Sequence, residues 1–249
     1  MERITSRKNP VAVHMRKLAS NRSYRSHCNE FLCDGIKLLE EAISSDISIS
    51  LILTSTGVPF PLSVDTRVYY TDRSLIDSIS PLANAQDTLF VCKIPNNEET
   101  FDECGTHILL DSVQDPGNVG TIMRTANAFG LKSMILTGAC ADPYNPKTIR
   151  ASMGAIFKQR FFTMNTDELS KLRKGGKRFI GAALLENSIS ISDVSLKDSI
   201  IVIGSEGSGL SAEILELCDQ TVIIPIEPEC DSLNAAVAAG IIMWETTRN

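Results

Sequence analysis

A rhythm that begins near residue 106 constrains this chain more than any other feature. Short apolar runs alternate with helix-forming stretches: "HILLD", a helix from about Val119 to Phe129, "SMILTG", a helix around "NPKTIRASMGAIF", and "RFF". The helix "DELSKLRKGG" follows, then "RFIGAAL", "SIIVIG", the helix "SAEILELC", "QTVIIPI" and a last helix in "SLNAAVAAGIIMWETTR". Strands joined through helices need crossover connections, so the pattern predicts an α/β fold with a mostly parallel sheet and helices on both faces.

A smaller α/β unit precedes it. Residues 30–44 place Phe31, Leu32, Ile36, Leu39 and Ile43 at helical spacing. "ISLILTS", "RVYYT" and "TLFVCKI" read as strands, and "DRSLIDSIS" as a helix with Asp72 as a candidate cap. The unit ends near Ile94, and the polar "PNNEETFDECGT" reads as a linker. The division expected is therefore 1–94 and 106–249.

With 43% hydrophobic and 22% charged residues, the composition is that of an ordinary globular protein. No apolar run approaches the roughly 18 residues that span a bilayer, so no membrane partner is expected. The start, "MERITSRKNP", lacks the apolar core of a secretory signal. Seven cysteines without a Cys-x-x-Cys pair predict free thiols in a reducing, cytoplasmic compartment. No metal-ligand spacing is expected.

Net charge is −6, which argues against nucleic acid until its distribution is read. Residues 1–29 carry Arg3, Arg7, Lys8, Arg16, Lys17, Arg22 and Arg25 against Glu2 alone. Residues 147–178 carry Lys147, Arg150, Lys158, Arg160, Lys171, Arg173, Lys174, Lys177 and Arg178 against Asp167 and Glu168. Two basic regions on an acidic chain suit local contacts to a phosphate backbone, although solvated helix faces would give the same count.

Three loops fall at the carboxyl ends of expected strands, where open α/β sheets bind ligands. The first, "DSVQDPGNVGTIMRTANAFG", holds Asn118 near a helix start, where it can cap, and Arg124 almost two turns on. From that helix alone Arg124 reads as a surface side chain. The second, "VIGSEGSGLS", has Gly204, Gly207 and Gly209 around Glu206. A carboxylate there is badly suited to cradling phosphate and suits positioning a hydroxyl or a cation. The third, "IIPIEPECDSLNAA", ends in Ser232, Leu233 and Asn234 before an Ala/Gly-rich helix, and Ser232 is a reasonable N-cap.

Taken together, "DPGNVGTIMRTA", "GSEGSGLS" and "IPIxxxxxSLNAAVAAGI" resemble the three successive motifs of the SpoU (TrmH-like) branch of the SPOUT RNA methyltransferases. The resemblance covers residues 106–249 most closely. "ITSRKNP" followed by "FLCDGIKLLEEAI" is similar to the family's small L30e-like RNA-binding domain. The resemblance implies a trefoil-knotted sheet, S-adenosyl-L-methionine as methyl donor, and transfer to a ribose 2′-hydroxyl of RNA, rRNA before tRNA. It implies a homodimer whose active site is completed across the interface. Carried over residue by residue, the cofactor contacts are Gly204, Ile224 and Leu233. The catalytic set is Asn118, Arg124, Glu206, Ser232 and Asn234, with Arg124 foremost. One departure is Pro228, with Glu227, Glu229 and Asp231 around it, where the third motif often has glycine.

Two other readings stand beside this one. A base atom is the target in other SPOUT branches, and a non-catalytic RNA-binding factor would keep the fold without turnover. A dinucleotide oxidoreductase is disfavoured because no Gly-x-Gly-x-x-Gly is present.

Overall fold

The computed structural model describes residues 2–95, 100–227, 229 and 232–248; Asn96, Asn97, Pro228 and Asp231 lie outside them, and with them part of the expected linker. Two compact units are present: residues 1–98 together with 142–157, and residues 99–141 together with 158–249.

The first unit holds strands β1 (Glu2–Arg3), β2 (Glu30–Asp34), β3 (Ile49–Thr54), β4 (Arg67–Tyr70) and β5 (Thr88–Lys93) in the order β1-β4-β3-β5-β2. Strand β5 runs antiparallel to β3 and β2. Its helices are α1 (Pro10–Ser20), α2 (Arg22–Cys28), α3 (Ile36–Ser44) and α4 (Arg73–Asp77). Asn9 caps α1 by accepting from the Val11 N–H, with Pro10 in the first turn where its missing N–H costs nothing. The same unit contains the later helix Pro146–Ser152, numbered below in chain order as α6.

The helix expected over residues 30–44 is corrected at its start. Glu30–Asp34 is a strand paired with β5, and the helix begins only at Ile36. Phe31, Leu32 and Cys33 are all buried. A continuous apolar run fits a two-sided buried strand as well as a helix, and periodicity cannot separate the two. Gly35, at φ +122, breaks the run in a conformation that side chains resist. Asp72 does precede α4, but its carboxylate accepts from Arg3 at 2.6 Å and makes no cap hydrogen bond.

Arg25, counted above in the first basic region, is spent inside the fold. It is 4% exposed. Its Nε donates to Asp142 Oδ2 at 3.0 Å, and its Nη1 donates to the Leu18 carbonyl at 2.6 Å. It thereby pins residues 142–157 to α1 and α2. Arg16 is partly spent as well, donating to the carbonyls of Ser78 and Arg7.

The second unit is a seven-stranded, wholly parallel sheet in the order β10-β12-β9-β11-β6-β7-β8. Its strands are β6 (His107–Asp111), β7 (Met134–Thr137), β8 (Phe161–Thr163), β9 (Arg178–Ala182), β10 (Ile189–Ser190), β11 (Ser199–Ile203) and β12 (Gln220–Ile223). Its helices are α5 (Pro116–Ala128), α7 (Thr166–Lys174), α8 (Ala212–Leu217) and α9 (Ala235–Glu245). Successive residues Ile108, Leu109 and Leu110 are all fully buried, so both faces of the central strand are covered, as a parallel sheet requires. On one face Leu109, Ile200 and Val202 pack with Leu169 of α7 and Ile214 of α8. Helices α5 and α9 pack on each other. Six unpaired cysteines occur among the described residues. No helix among them is long and apolar enough to cross a membrane.

His107 opens β6 at 1% exposure, with its ring 4.7 Å from Phe101 and Nδ1 2.8 Å from Ser133 Oγ. Burial, and then the Lys177 ammonium, push its pKa down to about 4. Between that value and the free-histidine value the unfolded chain binds the extra proton, so stability is fully present above about pH 6.5 and is lost as pH falls toward 4. His107 therefore removes about 3 kcal/mol across that window. Urea denaturation at pH 7 and pH 4.5 checks this: His107→Gln should lose distinctly less stability on acidification than wild type. The Arg25 pair gives a second test. Arg25→Met leaves Asp142, its side chain 11% exposed, without its cation, and the urea midpoint should fall by the equivalent of about 3 kcal/mol.

Candidate active site

The sheet order decides where the loops meet. The chain runs outward from β6 to β7 and β8, then returns on the other side, and β11 inserts between β6 and β9. Leu110 lies beside Ile203 in parallel register. The loops that follow, after Asp111 and after Ile203, therefore leave adjacent strand ends at a switch point of the topology.

Asp111 holds these two loops together. It is 2% exposed, its Oδ2 accepts from the Ser211 N–H at 2.7 Å, and its Oδ1 accepts from the Ser112 hydroxyl at 3.1 Å. Asp111 is not among the site residues expected from the motifs. Its signal was present: an acid ending an otherwise apolar strand.

In the first loop the cap is Asp115, not Asn118. The Asp115 carboxylate accepts from the Asn118 N–H at 2.8 Å, and Pro116 opens the helix. The Asn118 side chain is thereby released for another partner, and its Nδ2 donates to Glu206 Oε1 at 2.7 Å. In the third loop the cap is Asn234, not Ser232. Asn234 Oδ1 accepts from Ala236 and Val237 N–H. Its Nδ2 donates to Glu206 Oε1 at 2.6 Å and to Asn118 Oδ1 at 3.1 Å. The Ala235 N–H also reaches Glu206 Oε1, at 3.4 Å. One carboxylate oxygen thus gathers all three loops. Glu206 Oε2 has no hydrogen bond to a described residue and is exposed.

The glycine loop is a closed turn. Ser205 and Gly209 exchange N–H···O=C bonds at 3.0 Å, and the Ser205 and Ser208 hydroxyls lie 2.8 Å apart. A Cβ on residue 204 would stand 2.2 Å from the Gly209 carbonyl carbon, so only glycine lets the two backbones close.

Beside this turn lies an apolar pocket of about 150 Å³. Ile224, Leu233 and Ser232 line it, with Ala182, Leu184 and Ala238 among its other walls. Two of the three expected cofactor residues therefore face one cavity, joined by Ser232. Gly204 is not in that lining; it shapes the neighbouring turn. The cavity is apolar, bordered by strand-end backbone and sized for a flat ring, so these residues fit part of a nucleoside-like group. A cleft of about 710 Å³ in the first unit gathers none of the expected residues; its Arg73 is already bound to Asp77 and Asp87.

Arg124 stands apart from the Asn118–Glu206–Asn234 cluster. It is exposed on α5 between Thr121 and Ala128 and makes no hydrogen bond or ion pair to another described residue. On α9, Val237, Ile241 and Trp244 form an exposed stripe at 51%, 36% and 53%, at spacings of four and three that keep them on one face. Ile122, Met123 and Ala126 are buried, as expected of α5; Phe129 is only half-buried, 5.9 Å from Trp244 ring to ring.

Residues 105–244 match the SpoU rRNA Methylase family. A Bacillus subtilis protein named 23S rRNA (guanosine(2553)-2′-O)-methyltransferase RlmP is 32% identical over 98% of this chain and 98% of its own. A Streptomyces viridochromogenes protein named 23S rRNA (uridine(2479)-2′-O)-methyltransferase is 28% identical over 99% of this chain and 92% of its own. The crystal structure of an AdoMet-bound rRNA methyltransferase from Sinorhizobium meliloti superposes with a TM-score of 0.86 at 26% identity, covering 99% of this chain and 97% of that one. With a family match over more than half the chain and a relative above 30% identity along nearly all of it, this chain belongs to the SpoU rRNA methylase family.

Proposed function

We propose that this chain transfers a methyl group from S-adenosylmethionine to a ribose 2′-hydroxyl of ribosomal RNA. The observation that carries the reading is the single Glu206 oxygen that binds Asn118, Asn234 and the Ala235 N–H, beside the pocket lined by Ile224 and Leu233. The two full-length relatives named as 23S rRNA 2′-O-methyltransferases support large-subunit RNA over tRNA. Because one is named for a guanosine and the other for a uridine, the chemistry they share lies at the ribose, which favours 2′-O over base methylation. The first unit, with Arg7, Lys8 and Lys17 on or near α1, serves as the L30e-like RNA-binding module. The trefoil knot belongs to the same reading.

When bound, the cofactor supplies an already activated methyl group. The protein's task is to hold the hydroxyl in line and ease the loss of its proton. Glu206 Oε1 is saturated, which fixes the carboxylate and leaves Oε2 to accept from the incoming hydroxyl. Asn118 and Asn234 hold Glu206 in place. A guanidinium stays protonated near neutral pH, so Arg124 stabilises the developing alkoxide and the adjacent phosphate rather than removing the proton. Because Arg124 stands outside the cluster of its own chain, the protein acts as a homodimer. The exposed Val237–Ile241–Trp244 stripe, on the helix that packs against α5, is the surface that the second copy covers.

Two variants test the assignment. Arg124→Ala should slow single-turnover methylation of RNA by roughly 10² to 10⁴, with S-adenosylhomocysteine binding unchanged by calorimetry. Arg124→Lys should not restore the rate, since a point charge cannot replace a planar fork. Turnover within about threefold of wild type, under 1 kcal/mol of barrier, would remove Arg124 from the mechanism. Asn234→Ser separates cap from chemistry. Serine still caps α9, so stability measured by thermal melt should stay within about 1 kcal/mol of wild type. The lost amide should still cost roughly 10² in methyl transfer.

A further inference from the structure

The first unit gathers its loops on one edge of its sheet. Strands β2, β3 and β4 run the same way, and β1 runs parallel to β4. The stretches that follow β1, β2, β3 and β4 therefore leave the same edge, where the stretch that enters β5 also lies. Between them is a cleft of about 710 Å³, with Ile36, Val58, Tyr70, Arg73, Gln86 and Asp87 in its walls. That volume lies in the range of small-molecule sites. The walls are braced from behind. Thr54 Oγ1 lies 2.9 Å from Thr88 Oγ1 and accepts from the Gly57 N–H at 3.2 Å. Asp34 Oδ1 accepts from the Gln86 N–H at 2.8 Å, and Asp34 Oδ2 from the Ser80 hydroxyl at 2.7 Å.

Arg73 is held within its own plane. Its Nε donates to Asp77 Oδ1 and its Nη1 to Asp87 Oδ1, each at 2.8 Å, and its Nη2 donates to the Ala85 carbonyl. These partners occupy the edges of the guanidinium and not its flat faces, and the side chain is 47% exposed. A guanidinium fixed in this way is a stacking plate for a planar ring. Asp77 and Asp87 offset its charge, so the cleft does not favour a phosphate. A neutral ring with polar edges fits it. Tyr70 and Val58 offer apolar contact, and Gln86 and Asp87 bring hydrogen-bonding groups to the ring edge. Cations lie outside the cleft. The Ile4 N–H donates to the Tyr70 carbonyl, so the stretch after β1 starts beside Tyr70, and Arg7 and Lys8 on that stretch are exposed. A neutral interior with cations beyond it matches a nucleotide, base inward and phosphate outward.

We propose that this cleft seats one unpaired nucleobase of the RNA strand, stacked on Arg73, with Arg7 and Lys8 on neighbouring phosphates. That the base belongs to RNA rests on the reading above. That the occupant is a base and not an anion rests on the paired, planar Arg73. A unit that grips phosphates alone binds any strand alike, whereas a base cleft adds a preference for strands with an unstacked nucleotide.

The test uses the full chain and a labelled single-stranded RNA 20-mer of mixed sequence with 4-thiouridine in place of uridine. Irradiation should join the RNA to the peptide that contains Tyr70 or to residues 56–59, as mapped by mass spectrometry. Thr56→Trp sets an indole at the exposed rim and leaves Arg73 and its partners in place. With an unchanged thermal melt, this variant should lose that crosslink and about tenfold in affinity by fluorescence anisotropy. Its log–log salt slope should not change, because stacking releases no counterions. Arg73→Lys should lose affinity in the same way, since an ammonium keeps the charge but offers no plane. Arg7→Ala/Lys8→Ala should instead flatten the salt slope by about 0.7 for each contact removed. Crosslinks confined to residues outside the first unit, or full affinity in both Thr56→Trp and Arg73→Lys, would overturn the proposal even if wild type methylates ribosomal RNA normally. Loss of the crosslink to uridine monophosphate at equal nucleotide concentration would also overturn it, by making this a site for free nucleotides. Conversely, a Tyr70 crosslink in a protein that forms no 2′-O-methyl nucleoside would sustain the site and remove the methyltransferase reading.

Discussion

The second unit depends on the insertion of β11 between β6 and β9. Without it the loop after β6 would not lie beside the glycine turn after β11. A parallel sheet places all its carboxyl ends on one edge, but only a reversal of strand order opens a crevice there. The buried Asp111–Ser211 hydrogen bond fastens the two loops at their roots. The Glu206 carboxylate joins them at their tips and brings in the start of α9. The site is therefore built from the backbone outward, and the side chains gathered there inherit their positions.

The strands and loops of this unit were legible because apolar runs, glycines and helical stretches alternate with little ambiguity from residue 106 on. Pairing order was not legible, since nothing local in "SIIVIG" says that it sits beside "HILLD". Asp111 was missed for the same reason: its partner lies 100 residues away. The errors at the caps were of another kind. "DPGN" and "SLN" each offer several good capping side chains, and propensity does not choose among them. Pro116 did hold the answer for the first, because proline favours the first helical position and so points to Asp115. At Phe31–Cys33 burial on both faces erased the period that would have distinguished strand from helix.

Charge was the least legible property. Counting cations gave two basic regions, but the structure spends many of them internally. Arg25 is buried against Asp142, Lys177 against Asp198, and Arg3 reaches Asp72. Buried arginines of this sort are recognised only when their partners are known, and Asp142 lies 117 residues from Arg25. The packing of residues 142–157 with the N-terminal unit had no local signal for that reason.

Asn234 has one consequence for how descendants of such a chain would diverge. Its amide oxygen caps α9 while its nitrogen braces Glu206, so natural selection for a well-folded last helix would preserve it in a lineage that had stopped turning over. Its presence is then poor testimony to activity. Arg124 makes no hydrogen bond or ion pair to another described residue of its own chain, and folding alone gives little reason to retain it. In a lineage drifting toward a purely RNA-binding role, Arg124 would be the first of the set to decay.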